Sequence, residues 1–571
     1  MKKKLIPVMV VCALIVLVIA GVGASVLIRR YTPSSEHKDL DTYYGITSKD
    51  EVAIVLNNEI MEDKAKVIDG NIYLDYNFVH DQLNPRFYWD SNENILLYAT
   101  PRELISAEAD QTKYLITKSS VDYGRPVVKA ISDAAYVDLE FVQKYSDFIY
   151  ESIDNPHRLV ITNQWGDYQT ASLKKDSAVR QKGGIKSPIL KDAKDKDSVT
   201  ILEIGDNWTK VATEDGIIGY VKNKTLTDAE TKTRQSKAAP ETYAHIKKDF
   251  KICMAWHQVF NSDANNAVSS VLAKTKGINV ISPTWFHLND NNGNLASLAS
   301  NDYVKYCHSQ GIEVWALVNN IDNPDVNTAE VLTHTSKRHN LVNQIVAKAI
   351  QYNLDGINLD FESLSKEKVG DSFIQFVREL SIKCSNNGLV LSVDNYMPMA
   401  YNAFYNREEQ ANFADYVIMM GYDEHYSGSE EAGSVASLNW VKEGVANTLK
   451  EVPADQLILG MPFYTRIWSL TPKDKEAAET SYDLSSKIYG MKAAADVLTT
   501  NGATKTWLED CGQNYAEFQE DGVTYKVWLE DAQSAEARLK VMEENNLAGA
   551  SFWKLGIETS DVWDTIIKYI H

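Results

Sequence analysis

The sequence predicts an α/β fold: a C-terminal (β/α)8 barrel preceded by two small mainly-β domains and an N-terminal transmembrane helix. Three observations predict it. From His245 onward, eight short apolar runs that read as strands alternate with stretches carrying apolar residues at helical spacing. Between residues 43 and 228 the pattern is short alternating runs separated by turn residues. At the start, Leu5 to Ile28 carries no charge and is long enough to cross a bilayer.

The N-terminal element, residues 1–31, reads as a signal anchor. Met1-Lys-Lys-Lys precedes the apolar run and Arg29-Arg30 follows it. The apolar region of a cleavable signal is usually shorter, and the alternative here is cleavage near Gly23-Ala24-Ser25. Both readings place the remainder outside the cytoplasm, at the cell membrane or secreted. Basic residues at both ends leave the positive-inside rule a weak guide. Residues 32–42 are a polar stalk.

Residues 43–165 form the first small domain, of α+β type. Val52–Leu56, Ile72–Tyr76, Ile95–Tyr98 and Leu159–Thr162 read as strands, and Tyr76–Leu83 as a short helix. Ala65–Leu74, followed by Phe87-Tyr-Trp-Asp-Ser-Asn-Glu-Asn, resembles the small surface domain related to the N-terminal domain of copper amine oxidases. No copper-ligand cluster accompanies it. Residues 166–228 form the second domain. Val199–Ile204 leads into Trp208–Ala212, and Asp215-Gly216 turns the chain into Ile217–Val221, a hairpin signal. This set resembles the bacterial SH3-like barrel, which implies a wall peptide as its ligand; the plain alternative is a spacer. Residues 229–244 are polar and read as a linker.

The barrel spans 245–571. Its strands are expected at Lys251–Trp256, Ile278–Ser282, Ile312–Val318, Gly356–Phe361, Leu389–Val393, Tyr416–Met420, Leu457–Gly460 and Gly549–Trp553. The chain between the last two is too long for one helix. A small insertion with a helix and β structure is expected at about 470–530, containing Trp507 and Trp528.

Composition excludes some classes. A net charge of −20 argues against nucleic acid, whose phosphates call for Lys/Arg stripes. The five cysteines are widely spaced and odd in number, so they read as buried free thiols rather than a disulfide frame or a zinc site.

The chemistry is concentrated in Asp355-Gly-Ile-Asn-Leu-Asp-Phe-Glu362. Strand side chains alternate, so Asn358, Asp360 and Glu362 face the barrel interior while Ile357, Leu359 and Phe361 pack under helices. Glu362 comes last, at the C-terminal end where barrel enzymes react. Two carboxyls side by side raise each other's pKa, so one can stay protonated near neutrality and act as an acid. Glycoside cleavage needs such an acid. A structural hydrogen-bond ladder is the plain alternative.

That octapeptide resembles the D-x-x-D-x-D-x-E signature of glycoside hydrolase family 18, the chitinase-like family. Met420-Gly-Tyr-Asp423, Leu459-Gly-Met-Pro-Phe-Tyr-Thr-Arg466 and Trp553 resemble its later segments, in order. The resemblance implies substrate-assisted, retaining cleavage with no metal or organic cofactor. It implies Glu362 as acid and base, Asp360 orienting the acetamido N–H, and Tyr422 donating to the acetamido oxygen. Asn358, Met420, Asp423, Tyr464, Arg466 and Trp256 are expected to bind substrate, with Trp553 as the floor under the sugar. Where the signature has its second Asp, this chain has Asn358. That replacement and Asp423-Glu-His425 resemble the branch that degrades spore cortex and cell wall. The implied partner is an N-acetylated glycan, peptidoglycan ahead of chitin oligosaccharide. A non-catalytic glycan-binding, lectin-like barrel is the alternative.

Overall fold

The computed structural model describes residues 5–473 and 482–570. The basic lead-in Lys2–Lys4 and residues 474–481 of the expected insertion lie outside the described residues. Contacts divide the chain into two compact units. The first comprises the chain up to Phe87, Ala107–Tyr114 and Asp122–Pro240; the second comprises Tyr88–Ser106, Leu115–Val121 and the chain from Glu241.

In the first unit, Leu5–Tyr31 is one 27-residue helix. Its Pro7–Tyr31 stretch is apolar, long enough to span a bilayer, and exposed along its length among the described residues. Two seven-stranded sheets follow. In the first, Glu51–Leu56 pairs antiparallel with Glu59–Ile68 and parallel with Arg158–Thr162. The second contains the expected hairpin: Trp208–Thr213 pairs with Ile218–Lys222, and Gly216 takes the positive φ (+80°) that its turn requires. Glu230–Arg234, expected in a linker, is instead a strand paired with Gly166–Thr170. Its residues are almost all polar, and that concealed an edge strand.

The second unit is the barrel. Its strands are β1 Ile252–His257, β2 Val280–Leu288, β3 Glu313–Asn319 and β4 Gly356–Asp360, then β5 Val390–Tyr396, β6 Tyr416–Met420, β7 Leu457–Pro462 and β8 Gly549–Trp553. Neighbours pair in parallel, and β1 pairs with both β2 and β8, closing the ring. The pleat sorts the side chains into two cores. Met254, Trp256, Trp315, Leu317 and Ile418 fill the interior. Ile357, Leu359, Leu391, Val417 and Leu459 join the layer between strands and helices. After β7, the strands Tyr464–Pro472, Tyr482–Gly490, Thr506–Leu508, Gln513–Glu520 and Val523–Leu529 form a five-stranded sheet carrying the helix Met491–Thr500.

Residues 43–165 are shared between the two units. The helix Thr335–Tyr352 has no side-chain cap of its own. Asp90 Oδ2 accepts from the Thr335 N–H and hydroxyl, both at 2.6 Å. Glu93 accepts from the Ser336 N–H at 2.8 Å and from its hydroxyl. Two carboxylates thus satisfy orphan donors at the positive end of that helix. Beneath them Arg338, fully buried, pairs with Glu379 at 2.9 Å and lies 5.0 Å from the Tyr88 ring.

The cysteines are free, and Cys253, Cys307 and Cys384 are buried as expected. Cys12 is exposed on the N-terminal helix and Cys511 is half-buried, so the expectation of uniform burial fails for these two.

Candidate active site

β4 ends at Asp360, so Glu362 stands two residues beyond the strand rather than on its last rung. The chain there is fixed by side chains from neighbouring strands and loops. The Glu362 N–H donates to Asn320 Oδ1 at 2.8 Å, and Asn320 Nδ2 donates back to the Glu362 carbonyl at 2.9 Å. The Tyr405 hydroxyl donates to the Phe361 carbonyl at 3.2 Å. Ser363 turns away with φ of +55°. Tyr396, at the end of β5, donates its hydroxyl proton to Glu362 Oε2 at 2.7 Å. The carboxyl is thereby aimed rather than left to rotate.

It is aimed into a cleft of about 180 Å³ at the C-terminal ends of the strands. Asp360, Glu362, Trp256, Met420, Tyr422, Asp423 and Trp553 line it. Trp256 is the hub of its apolar side. Its ring centroid lies 5.9 Å from that of Trp553 and 6.5 Å from that of Tyr422.

Three expected residues are not among those lining the cleft. Asn358 is fully buried beneath it. Its Oδ1 accepts from Trp256 Nε1 at 2.8 Å and Ser282 Oγ at 3.1 Å, and its Nδ2 donates to Ser392 Oγ at 3.1 Å and Asp394 Oδ1 at 2.7 Å. With every donor and acceptor engaged inside the barrel, it supports the cleft from below. Tyr464 is buried and donates to Asp423 Oδ1 at 2.5 Å, fixing the residue that reaches the cleft. Arg466 is turned into the inserted sheet, where Nη1 donates to Ser486 Oγ at 2.9 Å.

Asp394 was not among the expected site residues, yet it lines the cleft beside Tyr396. The signal was available. Ser392, Asp394 and Tyr396 repeat on β5 the inward polar alternation of Asn358, Asp360 and Glu362, but the apolar run that marks the strand stops at Val393.

The electrostatics favour held protons. Burial and the charges of Asp394, Glu362 and Asp322 hold the Asp360 carboxyl well above the usual range. Burial, together with Glu362, raises Asp394 well above it, although the Asn358 bond opposes this. Burial raises Glu362, opposed by the Tyr396 bond and assisted by Asp423. Among the described residues, those lining the cleft include no lysine, arginine or histidine. Nearby His257, bonded to the Tyr303 hydroxyl at 2.9 Å, is pushed down to about 4 by burial and stays neutral. The site can therefore donate a proton, receive positive charge as it develops on a substrate, and stack a ring on Trp553.

Comparisons with known proteins place the chain in a family. The family described as glycosyl hydrolases family 18 matches residues 216–558. The chain is 24% identical over 290 residues to an uncharacterized glycosylase of Bacillus subtilis, YvbX, covering 49% of this chain and 81% of that one. It is 23% identical over 282 residues to the cortical fragment-lytic enzyme of the same organism, covering 48% of this chain. That match spans 63% of the relative, less than two thirds of its length. The crystal structure of the Bacillus cereus spore cortex-lytic enzyme SleL superposes with a TM-score of 0.50 at 19% identity, covering 60% of this chain and 78% of that one, a likeness of fold.

Proposed function

The chain belongs to family 18 of the glycosyl hydrolases and is a glycosidase, and from that premise we propose that it cleaves β-linked N-acetylglucosamine glycans by a retaining, substrate-assisted reaction. The observation that carries this reading is the pairing of an aimed acid with a protonatable carboxyl in one cleft. Glu362, its carboxyl raised by burial and held by Tyr396, donates its proton to the leaving glycosidic oxygen. The sugar's own acetamido oxygen attacks the anomeric carbon. Asp360 orients the acetamido N–H and balances the charge of the cyclic oxazolinium ion. Tyr422 donates to the acetamido oxygen, and Trp553 carries the apolar face of the ring. Glu362 then takes a proton from water as the cyclic ion opens, and the anomeric configuration is retained.

Peptidoglycan is the favoured polymer, with chitin-type oligomers next. Asn358 in the signature and the similarity to enzymes named for spore cortex both support that order. Residues 166–228 are read as an SH3-like module that holds wall peptides, and 43–165 as the amine-oxidase-related surface domain. The helix Leu5–Tyr31 anchors the protein in the membrane with the barrel outside the cytoplasm.

The test compares the full chain with its Glu362→Gln variant on purified peptidoglycan and on a soluble N-acetylglucosamine oligomer. Release of reducing N-acetylglucosamine ends by the wild type alone is the expected result. Retention of glycan by both proteins with no cutting by either would replace this reading with the lectin-like one.

A further inference from the structure

Inside the barrel, an amide on β4 meets a carboxylate on β5. Asn358 and Ser392 are register partners on β4 and β5, as are Leu359 and Val393. Asp360 and Asp394 follow directly on these two neighbouring strands, whose spacing is about 4.8 Å. One level below, Asn358 Nδ2 donates to Asp394 Oδ1 at 2.7 Å. A carboxylate at 358 could not make that bond; two carboxylates would meet there instead. Above, Asp360 Oδ1 is buried and has no hydrogen-bond partner. Both aspartates line the same cleft.

We propose that Asp394 is the second carboxylate of the reacting centre: held by Asn358, it shares one proton with Asp360. The proposal rests on the glycosidase reading for its catalytic part. The orphan oxygen of Asp360 and the cleft-lining carboxyl of Asp394 form an acid–carboxylate pair, because two neighbouring buried carboxyls cannot both ionise. As positive charge develops on the oxazolinium ring, the Asp360 O–H bond breaks and an O–H bond forms on Asp394. Asp360 becomes the anion that faces the ring, Asp394 becomes neutral, and no proton enters or leaves. The Glu362 proton goes separately to the leaving oxygen. Asp394 is therefore a positioning residue acting through Asp360. The groups facing the pair are Glu362 beyond β4, Asp322 after β3, Tyr396 on β5, and Tyr422 and Asp423 after β6. Those from the acidic residues are further negative charge, which strengthens the need for one shared proton.

A charge-relocation cycle tests this in the full chain, with wild type, Asp394→Asn, Asn358→Asp and the double variant. In the double variant, donor and acceptor exchange places and the count of carboxyls is restored. With a soluble N-acetylglucosamine oligomer as probe, each single change is expected to lower kcat by about 10- to 100-fold and to alter its pH profile. The double variant is expected to recover at least about tenfold over either single, with the wild-type profile shape. Losses that simply multiply in the double variant would overturn the proposal. Melting temperature against pH gives a readout independent of turnover. Asn358→Asp should lose stability more steeply than wild type as pH rises, Asp394→Asn less steeply, and the double variant should follow wild type. Additive melting shifts would also overturn the pairing. A wild type that cuts no glycan contradicts the glycosidase reading, and the melting cycle still decides the pairing.

Discussion

The barrel unit holds two sets of buried carboxyls in opposite circumstances. Among the helices, Glu379 meets Arg338 at 2.9 Å and Glu409 meets Arg378 at 2.8 Å. In the inserted region Glu530 meets Arg538 at 2.7 Å. At the strand ends, Asp360, Asp394 and Glu362 are lodged without a cation lining their cleft among the described residues. Asp360 and Glu362 are half-buried where the others are buried, but the larger difference is in their partners. A paired carboxylate holds elements together, while an unpaired one keeps a proton and becomes chemically useful. The difference separates the residues that hold the barrel from those that work in it.

The largest effect that sharpens this contrast is on rate. Glu362→Gln should lower glycan cleavage by about 10²- to 10⁴-fold, since the amide cannot give the acid proton. Its melting temperature should match or exceed that of wild type, as scanning calorimetry would show. Glu379→Gln should do the reverse. It strands the Arg338 charge, fully buried, and should cost about 3–5 kcal/mol of stability in chemical denaturation. The kcat of the folded fraction should be unchanged.

Asp90→Ala comes next. It removes the distant cap from Thr335–Tyr352 and should cost about 1–2 kcal/mol. Hydrogen exchange should rise first at the start of that helix. If exchange there is unchanged, the segment 88–106 does not hold the barrel.

The pH dependence gives a smaller effect. Asp360 and Asp394 have folded pKa values above the ordinary 3.8. The folded state therefore keeps protons that the unfolded state has released. Stability from this source is full below about pH 4 and declines as pH rises. Asp360→Asn should flatten that decline and raise the melting temperature at pH 8. The smallest effect is expected from Tyr396→Phe. Its hydroxyl favours the ionised Glu362, so its loss should move the alkaline limb of kcat to higher pH.

Much of this contrast was legible in the sequence. The eight strands followed from apolar runs, and alternation placed Asp360 and Glu362 on one face. Four features were hidden, each for a physical reason. Asp394 sits just past the apolar run that marks β5, so composition ended the strand too soon. Asn358, Tyr464 and Arg466 carry the right motif positions, but their hydrogen-bond partners come from other strands, and a linear reading does not show which face those partners occupy. The caps from Asp90 and Glu93 join residues about 240 positions apart, and no local pattern signals such a contact. Glu230–Arg234 looked like linker because an edge strand can be polar on both faces.

In the proposed reaction the substrate's own acetamido group completes the site that Glu362 serves. The most direct measurement compares cleavage of an N-acetylated oligosaccharide with that of the same oligosaccharide after N-deacetylation, using the full chain at matched pH. The acetylated oligomer should be cut, with the newly formed anomeric centre initially in the β configuration by NMR, and cutting should be lost when the acetyl groups are removed. Comparable cutting of both, or release of the inverted anomer, would contradict this reaction.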